Sequence, residues 1–161
     1  MIRKARMQDA RPIHQLLVGY ARDGLVLPRS LSEIYDCIRD FYVYEDASGV
    51  VGTACLHICW EDLAEVRSLA VAQGQEGRGV GRQLVEACLT EARALGLPRV
   101  FALTYQVDFF DRLGFKEIEK SELPHKIWGD CMKCAKFPEC DETALSFHLG
   151  PKVQAGVRTG W

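Results

Sequence analysis

Residues 74–84 read GQEGRGVGRQL, and the fold turns on whether this glycine cluster cradles an anion or only joins two elements. Its flanks decide. On the N-terminal side, LAEVRSLAVA (63–72) is β-branched and alternates, which predicts a strand. On the other side Leu84, Val85, Cys88, Leu89 and Ala92 recur at helical spacing until Gly96-Leu97-Pro98 stops the helix. Strand, glycine loop and long helix in that order would line up the backbone N–H groups of Gly77, Arg78, Gly79, Val80 and Gly81. The first helical turn adds unpaired donors and the positive end of the helix dipole, so the loop predicts a phosphate cradle. Glycines let the backbone approach a phosphate without a Cβ in the way, and Arg78 and Arg82 add positive charge. A dinucleotide site would want G-x-G-x-x-G and an acid ending the next strand. Here the run from Gly77 is G-R-G-V-G, the following RVFALTYQ (99–106) holds no acid, and the Lys-Ser/Thr pair of a nucleotide-triphosphate loop is missing.

Working outward, IRKARMQD reads as a first strand ending in a cap, and Asp9 followed by Pro12 starts a helix carrying Ile13, Leu16, Leu17 and Tyr20, which Gly24 stops. Ser30 caps a second helix with Leu31, Ile34, Tyr35 and Ile38 on one face. FYVYED and GVVGTACLHICW flank ASG as a hairpin. After the long helix, RVFALTYQ predicts a strand, VDFFDRLG a short helix, FKEIEK a strand and ALSFHL a last strand. The order β-α-α-β-β-β-α-β-α-β-β describes an α/β fold with a mixed, mostly antiparallel sheet. Residues 1–149 are expected to form one domain with a cysteine-bearing insertion at about 121–143, and 150–161 a mobile tail.

Composition narrows the function. Hydrophobic residues make up 48% and charged residues 26%, ordinary for a globular chain of 161 residues, and the net charge of −2 gives no support to nucleic-acid or anionic-membrane binding. The N-terminus has no apolar leader and no apolar run is long enough to span a bilayer. Of seven cysteines, Cys37, Cys55, Cys59 and Cys88 fall inside apolar patterns, as buried thiols of a reducing compartment do. The expected location is cytoplasmic.

Two signatures now combine. LAVAQGQEGRGVGRQLVEACLTEA resembles the acetyl-CoA-binding motif of the GNAT N-acetyltransferases, a strand, then Q/R-x-x-G-x-G/A, then a helix. DFFDRLGF resembles that family's second signature, F-Y-x-x-x-G-F, and the resemblance runs from about Ile2 to Leu149. GLVLPRSLSEIYDCIRDFYVYE, LAEVRSLAV and RVFALTYQVDFF are further similar to the acetyltransferase domain of short-form N-acetylglutamate synthases. Two positions depart from the family: Glu76 stands at the Q/R position, and Phe110 stands where a tyrosine often proposed as general acid occurs.

The resemblance implies acetyl transfer from acetyl-CoA to the α-amino group of an amino acid, glutamate or glutamine, in arginine biosynthesis. Backbone groups of Leu69, Ala70 and Val71 would pair with the pantetheine as an added strand, residues 76–82 would hold the pyrophosphate, and Phe110 would sit beside the cofactor. Glu65 matches the acid carried at the start of this strand; by alternation it shares a face with Arg67, Leu69 and Val71, and it is the candidate base. Glu65 also reads as a solvated strand-end carboxylate. Tyr105 is the nearest hydroxyl for protonating the thiolate, or a rim tyrosine, and a thiolate can also leave without an acid. Arg29, in LPRS, matches a carboxylate-binding arginine of the synthases, and Arg67 adds a second cation for an anionic acceptor. LTYQVDFF lacks the arginine with which the full-length synthases read a side-chain carboxylate, so glutamate is not singled out.

The insertion offers His125, Cys131, Cys134 and Cys140, a C-x-x-C with a third cysteine and a histidine that would complete a tetrahedral zinc site; free thiols or a redox pair fit as well. Trp128 and Phe137 would wall the acceptor pocket or anchor the insertion locally. Other acceptors remain open: a polyamine, an aminoglycoside or a protein N-terminus. So does a non-catalytic acetyl-CoA-binding module. A homodimer through the C-terminal strands is a further expectation.

Overall fold

A computed structural model describes residues 1–22, 29–124 and 142–150. Its centre is one seven-stranded sheet, β1 (Ile2–Lys4), β2 (Phe41–Asp46), β3 (Gly49–Trp60), β4 (Leu63–Val71), β5 (Arg99–Thr104), β6 (Lys116–Ile118) and β7 (Thr143–His148), in the order β1-β2-β3-β4-β5-β7-β6. Neighbours are antiparallel except β4 and β5, which run parallel and pair only at Ala64↔Val100 and Glu65↔Phe101. β4 continues to Val71 and β5 to Thr104, so beyond Glu65 the two strands part and leave a gap. That gap positions everything that follows.

Among the described residues four α-helices cover the sheet: α1 (Ala10–Arg22), α2 (Leu31–Asp36), α3 (Val80–Ala94) and α4 (Val107–Arg112). On one face Ile13 and Leu17 of α1 and Ile34 of α2 pack on Phe41, Val43, Cys55 and Ala70. On the other, Leu84, Val85, Cys88, Leu89 and Ala92 of α3 pack on Ala54, Leu56, Ala64 and Val66. These are the residues whose helical spacing predicts the buried stripes.

The local signals act as expected, with small shifts. Ser30 closes a capping box, accepting from Glu33 N–H at 3.1 Å while Glu33 Oε1 accepts from Ser30 N–H at 3.3 Å. β1 stops at Lys4, short of the predicted stretch, because Asp9 Oδ2 accepts from Arg6 N–H at 2.7 Å and turns the chain. The same carboxylate accepts from both Arg3 nitrogens at 2.7 and 3.0 Å, a buried bidentate pair that ties β1 to the start of α1. β6 is three residues long because Lys120–Glu122 form a 3-10 turn in place of more strand. Gly24 lies outside the described residues.

Candidate active site

The loop between β4 and α3 has the conformation its glycines predict. Gly74, Gly77 and Gly79 sit at φ +87°, +83° and +81°, a region side chains rarely enter. A Cβ at Gly77 would meet nothing within 4 Å and one at Gly79 only Gln83 Nε2 at 4.0 Å. Packing therefore does not require glycine there; backbone conformation and open access do. α3 begins at once, its ladder opening with Gln83 N–H to the Gly79 carbonyl at 3.0 Å, so its first donors face the loop. The carboxylate of Glu76, the awkward charge in this loop, is folded back and accepts from Gly74 N–H at 2.8 Å. Arg78 donates to Gln75 Oε1 at 2.8 Å and Arg82 to Glu86 Oε1 at 2.8 Å, so both guanidinium groups flank the loop on the surface.

The edge of β4 leads from this loop into the gap. Ala72 N–H bonds back to the Val51 carbonyl of β3 at 2.7 Å, whereas Val71 N–H and C=O meet the Tyr20 hydroxyl at 3.1 and 3.0 Å. Residues alternate across a strand, so Val71's polar groups point away from β3, towards the gap.

Ser68 corrects one expectation. It has φ +56°, and the β3–β4 register slips between Thr53↔Ala70 and Cys55↔Arg67, the mark of a bulge on β4. The bulge reverses the strand's phase. Ala64 and Val66 face α3 before it, Leu69 and Val71 face α3 after it, and Glu65 and Arg67 lie with Ala70 on the α1–α2 side. Glu65 and Arg67 thus share a face with each other, as predicted, but not with Leu69 and Val71.

On that face Arg29, Glu33, Asp36, Cys37, Cys55 and Arg67 line an open cleft of about 440 Å³, including solvent at its mouth. Arg67 Nη1 lies 3.8 Å from Glu65 Oε1, both side chains nearly buried, and Arg29 Nη1 lies 3.7 Å from Glu33 Oε2. Burial pushes the Cys55 thiol up to about 12, and burial with the nearby Asp40 charge raises Cys37. Both thiols are therefore protonated at neutral pH and poor nucleophiles. His57 stands directly across from Glu65 on β3, its Nδ1 3.9 Å from Asp40 Oδ2.

The structure thus brings Glu65, Arg67 and Arg29 to one side of the sheet and the glycine loop to the end of the same strand. Tyr105 follows the end of β5. Glu65 pairs with Phe101, and Tyr105 lies four residues farther along, roughly 13 Å at strand rise. Phe110 is 3% exposed, packed edge-to-face between Phe109 and Phe115 at centroid distances of 5.1 and 5.0 Å. The ring that reaches the start of α3 is Phe109, 3.4 Å from where a Cβ on Gly81 would lie.

Sequence reading missed Tyr20, Glu33 and His57. For His57 a signal exists, since hairpin register can be counted from Trp60↔Leu63. An unbulged count sets Ile58 opposite Glu65, and the irregularity between Ile58 and Trp60 puts His57 there instead. His125, Cys131, Cys134 and Cys140, with Trp128 and Phe137, lie outside the described residues. Among the described residues no group of three or more His, Cys, Asp or Glu could hold a metal ion, and no helix is long and apolar enough to cross a membrane.

Comparison with known proteins agrees with this geometry. The acetyltransferase (GNAT) family profile matches residues 12–115. An uncharacterized N-acetyltransferase of Chlorobaculum tepidum is 42% identical over 144 residues, covering 89% of this chain and 93% of that protein. The amino-acid acetyltransferase of Mycobacterium tuberculosis is 38% identical, covering 98% of this chain and 91% of that protein. Among solved structures, Rv2747 from Mycobacterium tuberculosis in complex with CoA and NLQ superposes with a TM-score of 0.81 at 30% identity, over 93% of this chain and 99% of that one. N-acetylglutamate synthase from Neisseria gonorrhoeae, complexed with coenzyme A and N-acetyl-glutamate, gives a TM-score of 0.84 at 26% identity, over 94% of this chain but 35% of that longer one. The chain belongs to the GNAT acetyltransferase family and is an acetyl-CoA-dependent N-acetyltransferase.

Proposed function

We propose that the enzyme transfers acetyl to the α-amino group of an amino acid, with glutamate and glutamine the leading acceptors, in the reaction that opens arginine biosynthesis. The observation that carries this reading is the grouping of Glu65, Arg67 and Arg29 on one face of the sheet, beside the gap that starts at Glu65. The names of the Mycobacterium tuberculosis relative and the Neisseria gonorrhoeae synthase support it.

Each residue then has a task. The loop at residues 77–81, with open space at Gly77 and the start of α3 behind it, suits the pyrophosphate of acetyl-CoA, and the gap-facing edge at Val71 suits its pantetheine. Acetyl-CoA supplies the activated acyl group as a thioester. Arg29 and Arg67 receive the acceptor's α-carboxylate, which orients the amine. Glu65 takes the ammonium proton, directly or through a water, and frees the nitrogen lone pair for attack on the thioester carbonyl. Tyr105, just beyond the end of β5, protonates the departing sulfur. One domain, residues 1–149, does all of this.

Glu33 and Asp36 line the same cleft and favour a second acceptor class, a cationic amine. The two readings separate in one assay. CoA release is followed with single amino acids and with polyamines as acceptors: turnover with amino acids alone supports the proposal, and turnover with polyamines alone replaces it.

A further inference from the structure

Where β4 and β5 part, the outer edge of β4 has to be covered by something other than a strand. At Val71 one atom covers it. The Tyr20 hydroxyl accepts from Val71 N–H at 3.1 Å and donates to Val71 C=O at 3.0 Å. A phenol thereby offers the same pair of functions, one acceptor and one donor, that a secondary amide offers to a strand edge. Tyr20 reaches this point from α1, with its ring packed against the α1–α2 core and 51 residues separating the partners in sequence. An extended pantetheine on this edge would present its own amide to the same two groups. A backbone N–H has a single proton to donate, so hydroxyl and amide cannot both hold it.

We propose that Tyr20 is a placeholder on the cofactor edge, its hydroxyl exchanged for the pantetheine amide as acetyl-CoA binds. The proposal rests on the acetyl-CoA reading of the β4 edge given above. Satisfying Val71 without cofactor keeps a half-buried strand edge from being left with open polar groups. The same contact lowers the apparent affinity, because the binding-competent edge is only a fraction of the cofactor-free population. α1 is thereby linked to cofactor occupancy through one side chain. Tyr20 is a positioning residue in this scheme and takes no part in bond making.

The test uses Tyr20→Phe, which keeps the ring and removes only the hydroxyl. Titration calorimetry with CoA and with adenosine 3′-phosphate 5′-diphosphate, the fragment lacking pantetheine, compares the two chains. The expected result is CoA binding about threefold to tenfold tighter in the variant, with the fragment's affinity unchanged. CoA binding that is equal or weaker in the folded variant overturns the placeholder. A second readout needs no substitution: 3-fluorotyrosine placed at position 20 of the full chain should shift its fluorine resonance with CoA and not with the fragment. A resonance unmoved by bound CoA also overturns the proposal. If the unaltered chain binds neither ligand, the cofactor reading itself fails and this proposal falls with it, an outcome distinct from equal binding by both chains.

Discussion

Gly52 of β3 lies beneath the first turns of α3, and replacing it with alanine tests whether the cofactor loop depends on that contact. A Cβ built there lies 2.8 Å from Val80 Cγ1, 3.0 Å from Leu84 Cδ1 and 3.6 Å from the Ala70 carbonyl oxygen. Carbon pairs are comfortable at about 3.5–4.0 Å, so the first two contacts overlap by roughly 0.5–1.2 Å. Neither neighbour can easily turn away. Val80 and Leu84 are 3% and 0% exposed, and a helical valine has one strongly preferred rotamer. Relief has to come from moving the first turn of α3, which is also the wall of the glycine loop. Overpacking of this kind costs about 1–3 kcal/mol, and at about 2–4 °C per kcal/mol for a chain of this size the midpoint of thermal unfolding should fall by about 2–12 °C. CoA affinity should weaken as well. Differential scanning calorimetry and a CoA titration read both effects, and adding Val80→Ala should return part of the loss, giving a double-mutant coupling of opposite sign to the single effect. Gly52→Ala with an unchanged midpoint and unchanged CoA affinity would refute the reasoning.

Three further outcomes are expected. Glu65→Gln should lower kcat by about a hundredfold to ten-thousandfold, the usual range for a positioned general base, while CoA binding by calorimetry stays as it was; retention of kcat removes Glu65 from the chemistry. Arg29→Ala should raise the acceptor KM by about tenfold to a hundredfold, the size of one charge-assisted hydrogen bond, with little change in the acetyl-CoA KM; steady-state kinetics on each substrate distinguish the two. Asp9→Asn should destabilise the chain by about 3 kcal/mol by leaving Arg3 half-partnered in a buried place. Arg3's hydrogen bonds, helped by the Arg6 N–H, hold the Asp9 carboxyl below the usual range despite its burial. Its contribution is therefore complete above an unfolded value of about 3.9 and is lost as pH falls through the lower folded value. Urea unfolding across the acid range should show a flatter acid limb in the variant than in the parent.

Much of the fold is legible because its turns and stripes are local. Ser30 with Glu33, Pro12 in the first turn of α1, and Gly96 after α3 mark helix ends by chemistry that acts within a few residues. The glycine loop is legible for the same reason, since positive φ at residues 77 and 79 calls for glycine. What stays hidden depends on neighbours distant in sequence. The bulge at Ser68 carries no glycine to announce it, yet it reverses the phase of β4 and parts Glu65 and Arg67 from Leu69 and Val71. The irregularity before Trp60 likewise decides that His57, and not Ile58, faces Glu65. Phe110 stands out in the sequence by its motif position, while its packing between the Phe109 and Phe115 rings in the core shows only in the fold. Tyr20's capture of Val71 joins α1 to the end of β4, and no window of sequence contains both.

The central claim is acetyl transfer to an amino acid with Glu65 as base. It is tested most directly by following free CoA released from acetyl-CoA with the twenty amino acids supplied singly, for the unaltered chain and for Glu65→Gln. The account predicts turnover confined to one or a few amino acids, glutamate or glutamine among them, and its loss in the variant while CoA binding persists. Bound CoA with no release on any amino acid, or equal release by both chains, would contradict it.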